Sequence, residues 1–70
     1  MTEGLKIWTV YKRPLDFPNY YVVRCWIGDQ PTNHVLLGRD LNDVRSLLPE
    51  GLFRMDRHED DDPCIVETWF

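Results

Sequence analysis

Tyr20-Tyr21-Val22-Val23-Arg24-Cys25-Trp26-Ile27 is the longest run of strand-forming residues in the chain. Its β-branched and aromatic side chains fit a pleated, half-buried surface, and the run has a common strand length. Alternation divides it in two. Tyr21, Val23, Cys25 and Ile27 share one face and carry no charge. Tyr20, Val22, Arg24 and Trp26 share the other, with a guanidinium in their midst. The uncharged set is expected to face a core, and the set with Arg24 to face outward or a partner.

The flanking segments supply the rest of a sheet. Leu5 to Tyr11 reads as a first strand, with Ile7, Thr9 and Tyr11 assigned to the core side and Lys6, Trp8 and Val10 to the outer side. Pro14 and Pro18 make the connection Lys12 to Asn19 stiff and non-strand, with Leu15 and Phe17 expected to pin it to the body. Gly28 to Asn33 is dense in turn formers, and His34 to Leu37 forms a short third strand. Asp40 then opens a helix as its N-cap, with Asp43 three residues on. Leu41, Val44, Leu47 and Leu48 fall on one helical stripe, with Arg45 and Ser46 toward water. Pro49 and Gly51 end the helix. Leu52 to Met55 is a short edge strand. The chain closes on a strand from Cys64 to Phe70, with Cys64, Val66, Thr68 and Phe70 inward and Ile65, Glu67 and Trp69 outward.

These elements predict one small α+β domain over residues 1–70. It is an antiparallel sheet of four strands, five if Leu52 to Met55 joins, with one helix on one face. Its order is β-β-β-α-(β)-β. The alternating directions let the last strand pair with the first, and put the Leu52 segment outside it. Met1 to Gly4 is a loose lead-in.

Composition limits what such a domain does. A 70-residue chain buries only about 60% of its unfolded surface, so it is marginal without a staple or an oligomer. Two cysteines allow one disulfide at most. No signal segment or long apolar run is seen, and together these point to a reducing cytoplasm with free thiols and no membrane. The net charge of −4 disfavours general attraction to nucleic acid or anionic lipid.

The predicted outer face gathers Lys6, Trp8, Val10, Tyr20, Val22, Arg24, Trp26, Ile65, Glu67 and Trp69, including every tryptophan of the chain. Monomers rarely expose so large an apolar patch, and Trp, Tyr and Arg are enriched at interaction hot spots. Trp8, Tyr20, Arg24, Trp26 and Trp69 are therefore the expected partner-binding residues, for a protein partner or, most simply, a second copy. Two readings compete. A basic and aromatic sheet could stack single-stranded nucleic acid, with Lys6 and Arg24 on phosphates. Alternatively, the face assignment slips, because a one-residue slip exchanges the faces of a strand, or a loop residue such as Phe17, or the N-terminus, covers the rings.

Little else suggests chemistry. His58-Glu59-Asp60-Asp61-Asp62 is rich in oxygen ligands but lacks the alternation and turn glycine of a calcium loop. A solvated acidic loop is the expected reading, and docking of Glu59, Asp60, Asp61 and Asp62 on a basic partner, as an accessory or inhibitor protein, is a third functional possibility. Cys25 and Cys64 fall on the predicted core side with no base nearby. Two histidines without further convergent ligands do not make a zinc site. No catalytic residue, cofactor or metal is expected, and the domain reads as non-enzymatic.

The pattern Trp8-x-x-Tyr11-x-x-Pro14-x-Asp16-x-Pro18-x-x-Tyr21-Val22-x-Arg24-x-Trp26, followed by Asp61-Asp62-Pro63-x-Ile65-Val66-Glu67-x-Trp69, resembles a group of small uncharacterised bacterial proteins. That resemblance spans nearly the whole chain. It implies a shared small fold and carries no activity, cofactor or site.

Overall fold

In a computed structural model, which describes residues 5–57, 59 and 63–70, the chain is an α+β fold. Its strands are β1 (Lys6–Lys12), β2 (Tyr21–Ile27), β3 (Gln30–Gly38), β4 (Arg54–Asp56) and β5 (Ile65–Trp69), and its helix is α1 (Leu41–Ser46). The strands form one antiparallel sheet in the order β3-β2-β1-β5-β4. The last strand thus pairs with the first, and the Leu52 segment supplies the outer edge through Arg54–Asp56. The lead-in Met1 to Gly4 lies outside the described residues.

Local chemistry accounts for most of the boundaries. The turn after β2 is tighter than expected: Gly28 takes φ 61°, which a side-chain-bearing residue rarely adopts, and β3 begins at Gln30. Pro31 is tolerated because β3 is an edge strand with no further neighbour to bond. Residues 32–34 bulge opposite Cys25. There Thr32 Oγ1 donates to the Cys25 carbonyl (2.8 Å) and accepts from the His34 N–H (3.1 Å). A second bulge places Val66 as the extra residue of β5, between the pairs Val10–Glu67 and Tyr11–Ile65.

The helix starts as read. Asp40 Oδ1 accepts from the Asp43 N–H at 2.8 Å, and the Asp43 carboxylate accepts from the Arg39 N–H at 3.3 Å. It ends sooner than the leucine stripe implied. The Leu47 and Leu48 N–H groups reach back only three residues, to the Val44 and Arg45 carbonyls. That tightening takes Leu47 off the apolar stripe, and it is exposed.

A helix of six residues has no stability of its own in water. It is held by Val44, which is completely buried and packs with Trp8, Val10, Val23 and Cys25, while Leu41 and Leu48 pack around them. Full burial of a side chain such as Val44 contributes about 1.5–3 kcal/mol. The approach is close enough to require glycine in the sheet. A Cβ on Gly38 would lie 2.6 Å from Val44 Cγ1 and 2.8 Å from the Val44 backbone N.

The expected face of β2 is correct, and that of β1 is not. Trp8 pairs with Cys25 and Val10 with Val23, so Lys6, Trp8 and Val10 share the helix side. Ile7, Thr9 and Tyr11 turn away from it. The last strand follows β1: Trp8 pairs with Trp69 and Val10 with Glu67. Glu67 and Trp69 therefore face the helix, while Thr68 faces away. The cause is the connection between β1 and β2. It closes with the Arg13 N–H donating to the Tyr20 carbonyl at 3.0 Å, with Arg13 in the left-handed region at φ 49°. This sets Lys12 opposite Tyr21, an even-numbered residue opposite an odd one. A loop one residue longer or shorter would reverse that parity.

Candidate functional site

The inverted phase breaks up the predicted aromatic cluster. Trp8 is 4% exposed in the core and meets the His34 ring edge-on, with centroids 5.3 Å apart. Trp69 also packs against the core. Of the expected partner-binding residues, Arg24 and Trp26 lie on the face away from the helix, and Tyr20 is exposed in the loop before β2.

That open face is nonetheless apolar, and its composition follows from the register. One row across the sheet runs Ile65, Tyr11, Val22, Leu37. The next runs Met55, Thr68, Thr9, Arg24, Val35. A third runs through Ile7, Trp26 and Pro31. Continuing the Trp8–Trp69 register by one residue brings Phe70 beside Ile7. Phe70 and Phe53 exchange both backbone hydrogen bonds, at 2.8 and 3.1 Å, which adds Phe53 to the same row. Phe53 is 73% exposed, and Met55, Leu37 and Phe70 are also exposed.

The one charge in these rows, Arg24, is bonded to Asp16 of the connection 13–20. That ion pair ties the connection to this face, and Val22 on the same face is fully buried. Beyond it the face dips into a recess of about 280 Å³, lined by Ile7, Thr9, Tyr11, Trp26, Gly28, Ile65 and Thr68. The sequence held a signal for this surface in the alternation Ile7, Thr9, Tyr11, which was assigned to the core.

On the helix side, the structure brings together a group that sequence spacing does not show. Glu67 is 1% exposed. Its carboxylate accepts from Arg45 Nε at 2.9 Å, Arg45 Nη2 at 2.5 Å and Trp69 Nε1 at 2.6 Å, and Arg54 stands 3.9 Å away. Arg45 lies toward the wet side of the helix as expected, with its side chain 35% exposed, yet its guanidinium reaches back to the sheet. It is the clasp between helix and sheet, through the two-pronged geometry that guanidinium and carboxylate share. Burial alone would push the Glu67 carboxyl up, but the hydrogen bonds from Arg45 and Trp69 and the charges of Arg45 and Arg54 together hold it below its ordinary value. The same hydrogen bond to Glu67, against the opposing effect of burial, raises Arg45 above its ordinary value. With three donors on it and almost no exposure, Glu67 fixes the helix and is not placed to meet a substrate.

The remaining candidates stay apart. Cys25 is buried and Cys64 half-buried, both as thiols outside any disulfide. Among the described residues no group of three His, Cys, Asp or Glu side chains could hold a metal ion, and no helix is long and apolar enough to cross a membrane. Of the acidic loop, Glu59 is exposed, while His58, Asp60, Asp61 and Asp62 lie outside the described residues. No family model, curated protein or solved structure matches the chain.

Proposed function

We propose that this domain is a non-enzymatic protein-association module that works through the open face of its sheet. The observation that supports this reading is the three cross-strand rows, which leave Phe53, Met55, Leu37 and Phe70 exposed on the same face as a recess lined in part by Ile7 and Trp26. Antiparallel sheets with one wet face normally show polar residues there, and this face carries few. The setting is the reducing cytoplasm in which Cys25 and Cys64 remain thiols. The nucleic-acid reading is weakened because it needs free cations beside the rings. Lys6 lies on the helix side with Trp8, and Arg24 is already paired with Asp16.

The test compares two exposed apolar residues on different sides. The full chain and its Phe53→Asp and Leu47→Asp variants serve as baits in a bacterial lysate to which tagged copies of the chain are added. Partners, the chain itself included, that bind wild type and Leu47→Asp but not Phe53→Asp support the open face. Binding that is the same for all three baits rules the face out.

A further inference from the structure

The open face carries both a projection and a hollow, and the two are neighbours. The projection is the connection 13–20. Pro14 and Pro18 fix its backbone, and it folds into successive turns, with the Phe17 N–H on the Pro14 carbonyl at 2.9 Å and the Tyr20 N–H on the Phe17 carbonyl at 3.2 Å. Its Asp16 is tied down to Arg24 on the face. Beside Asp16, Leu15 is 99% exposed, a large apolar side chain with no contact surface in its own chain. The hollow begins one strand away, because Arg24 pairs with Thr9 and Thr9 lines the recess. At about 280 Å³, it lies at the small end of ligand pockets, which run to about 1,000 Å³, and has room for an apolar side chain.

A surface with a knob and a matching hollow is self-complementary under twofold rotation, in which a contact from one copy to the other is returned. From this we infer that the partner is a second copy of the chain, packed open face to open face, with Leu15 of each copy entering the recess of the other. This inference rests on the open face being the association surface.

Charge agrees with a like-for-like pairing. Each copy carries a net charge of −4, so two copies repel over most orientations, yet the charge within these rows is cancelled by the Arg24–Asp16 pair. Packing these faces together therefore brings no unpaired side-chain charge of the three rows against its copy. Size agrees with a modest affinity. Five strands at ~4.8 Å spacing, over three rows of side chains, give a face on the order of 500 Å² in projection. Two such faces bury about 1,000 Å², the lower limit for a specific interface and the size of a reversible one. The stiffness of the connection helps, since a knob held in place before binding loses little freedom on docking.

The experiment is sedimentation equilibrium of the full chain over a hundredfold range of concentration, beside Leu15→Asp, Leu15→Met and Phe53→Asp. The NMR signal of the Trp26 indole N–H is followed over the same range. Leu15 is so exposed that none of its variants perturbs the monomer fold, which circular dichroism checks. The expected result is a reversible dimer that Leu15→Asp weakens at least tenfold and Leu15→Met preserves. The Trp26 indole signal should move with concentration in wild type and stay fixed in Leu15→Asp.

A wild-type chain that is monomeric throughout overturns the second-copy inference. If the lysate comparison still shows Phe53-dependent partners, the association reading survives that failure. A dimer that Leu15→Asp leaves intact but Phe53→Asp abolishes removes the knob-and-recess geometry and keeps the face. A dimer indifferent to both variants overturns the inference and the reading together.

Discussion

The two sides of this sheet are built from similar residues and do opposite work. The helix side holds Trp8, Val10, Val23 and Cys25 under Val44, and it also holds a carboxylate. The far side holds Ile7, Thr9, Tyr11, Trp26 and Thr68 around a shallow recess, with no helix above it. Hydrophobicity does not distinguish them: the buried side has the stronger charge cluster, and the uncovered side has almost none. What separates them is polar satisfaction. Glu67 is tolerated in the core because Arg45 and Trp69 occupy its oxygens, while the far side has little to satisfy and only apolar area to cover.

The largest effect that would sharpen this contrast comes from the tryptophans. Trp8→Ala should cost about 3–5 kcal/mol, as a large cavity in a core does. That is on the order of the whole stability of a 70-residue domain, so the variant should be mostly unfolded in urea titrations begun from dilute solution. Trp26→Ala, measured at concentrations where the chain is monomeric, should cost less than about half of that. Equal losses would mean that the two sides are equally buried within one chain.

Next comes the carboxylate. Glu67→Ala should cost about 2–4 kcal/mol, because it leaves the Arg45 guanidinium and the Trp69 N–H facing a vacated site. A pH series refines this. The Glu67 carboxyl is held below its ordinary value of 4.5, so the unfolded chain binds that proton more tightly than the folded one. The stability it contributes is present above that ordinary value, and is lost as pH falls through the lower folded-state value. Denaturant titrations should show wild type losing stability in that acid range more steeply than Glu67→Gln. Parallel curves would show that the clasp is not coupled to folding.

Smaller again is the contact between helix and sheet. Gly38→Ala forces a Cβ against Val44 side chain and backbone and should cost about 1–3 kcal/mol by overpacking. The accompanying NMR shifts should be confined to α1 and β3. If the loss is absent, α1 is free to lift from the sheet, and the helix side is less closed than described.

The smallest effect belongs to the open face. Arg24→Ala should change stability by no more than about 1 kcal/mol, because its pair with Asp16 is solvent-accessible, with side chains 35% and 53% exposed. A larger loss would make the connection 13–20 a structural cover in place of a projecting arm.

Much of this was legible one residue at a time. Tyr20 to Ile27 reads as a strand, and the structure has one over Tyr21–Ile27; Asp40 with Asp43 reads as the start of a helix, and α1 begins there. The direction of each element then placed β5 beside β1 and β4 outside it. Local rules act on neighbours, so they reach as far as neighbours do. The candidate site was less legible. Arg24 and Trp26 were placed on the open face correctly, but Trp8 and Trp69 were assigned there too. The Arg45–Glu67 contact joins residues that no spacing rule connects.

The sequence by itself determined the elements of this protein, their order across the sheet and the uncharged side of β2, because propensity, capping and alternation are encoded locally. Only the tertiary structure decided which side of β1 and β5 meets the helix. Ile7, Thr9 and Tyr11 are as fit for a core as Trp8 and Val10 flanked by lysines. The choice between them was made by the parity of a proline-braced loop and by an arginine arriving from the helix to neutralise Glu67. The first depends on how residues 13–20 close between two strands, and the second joins residues 22 apart in the chain; alternation along one strand carries neither.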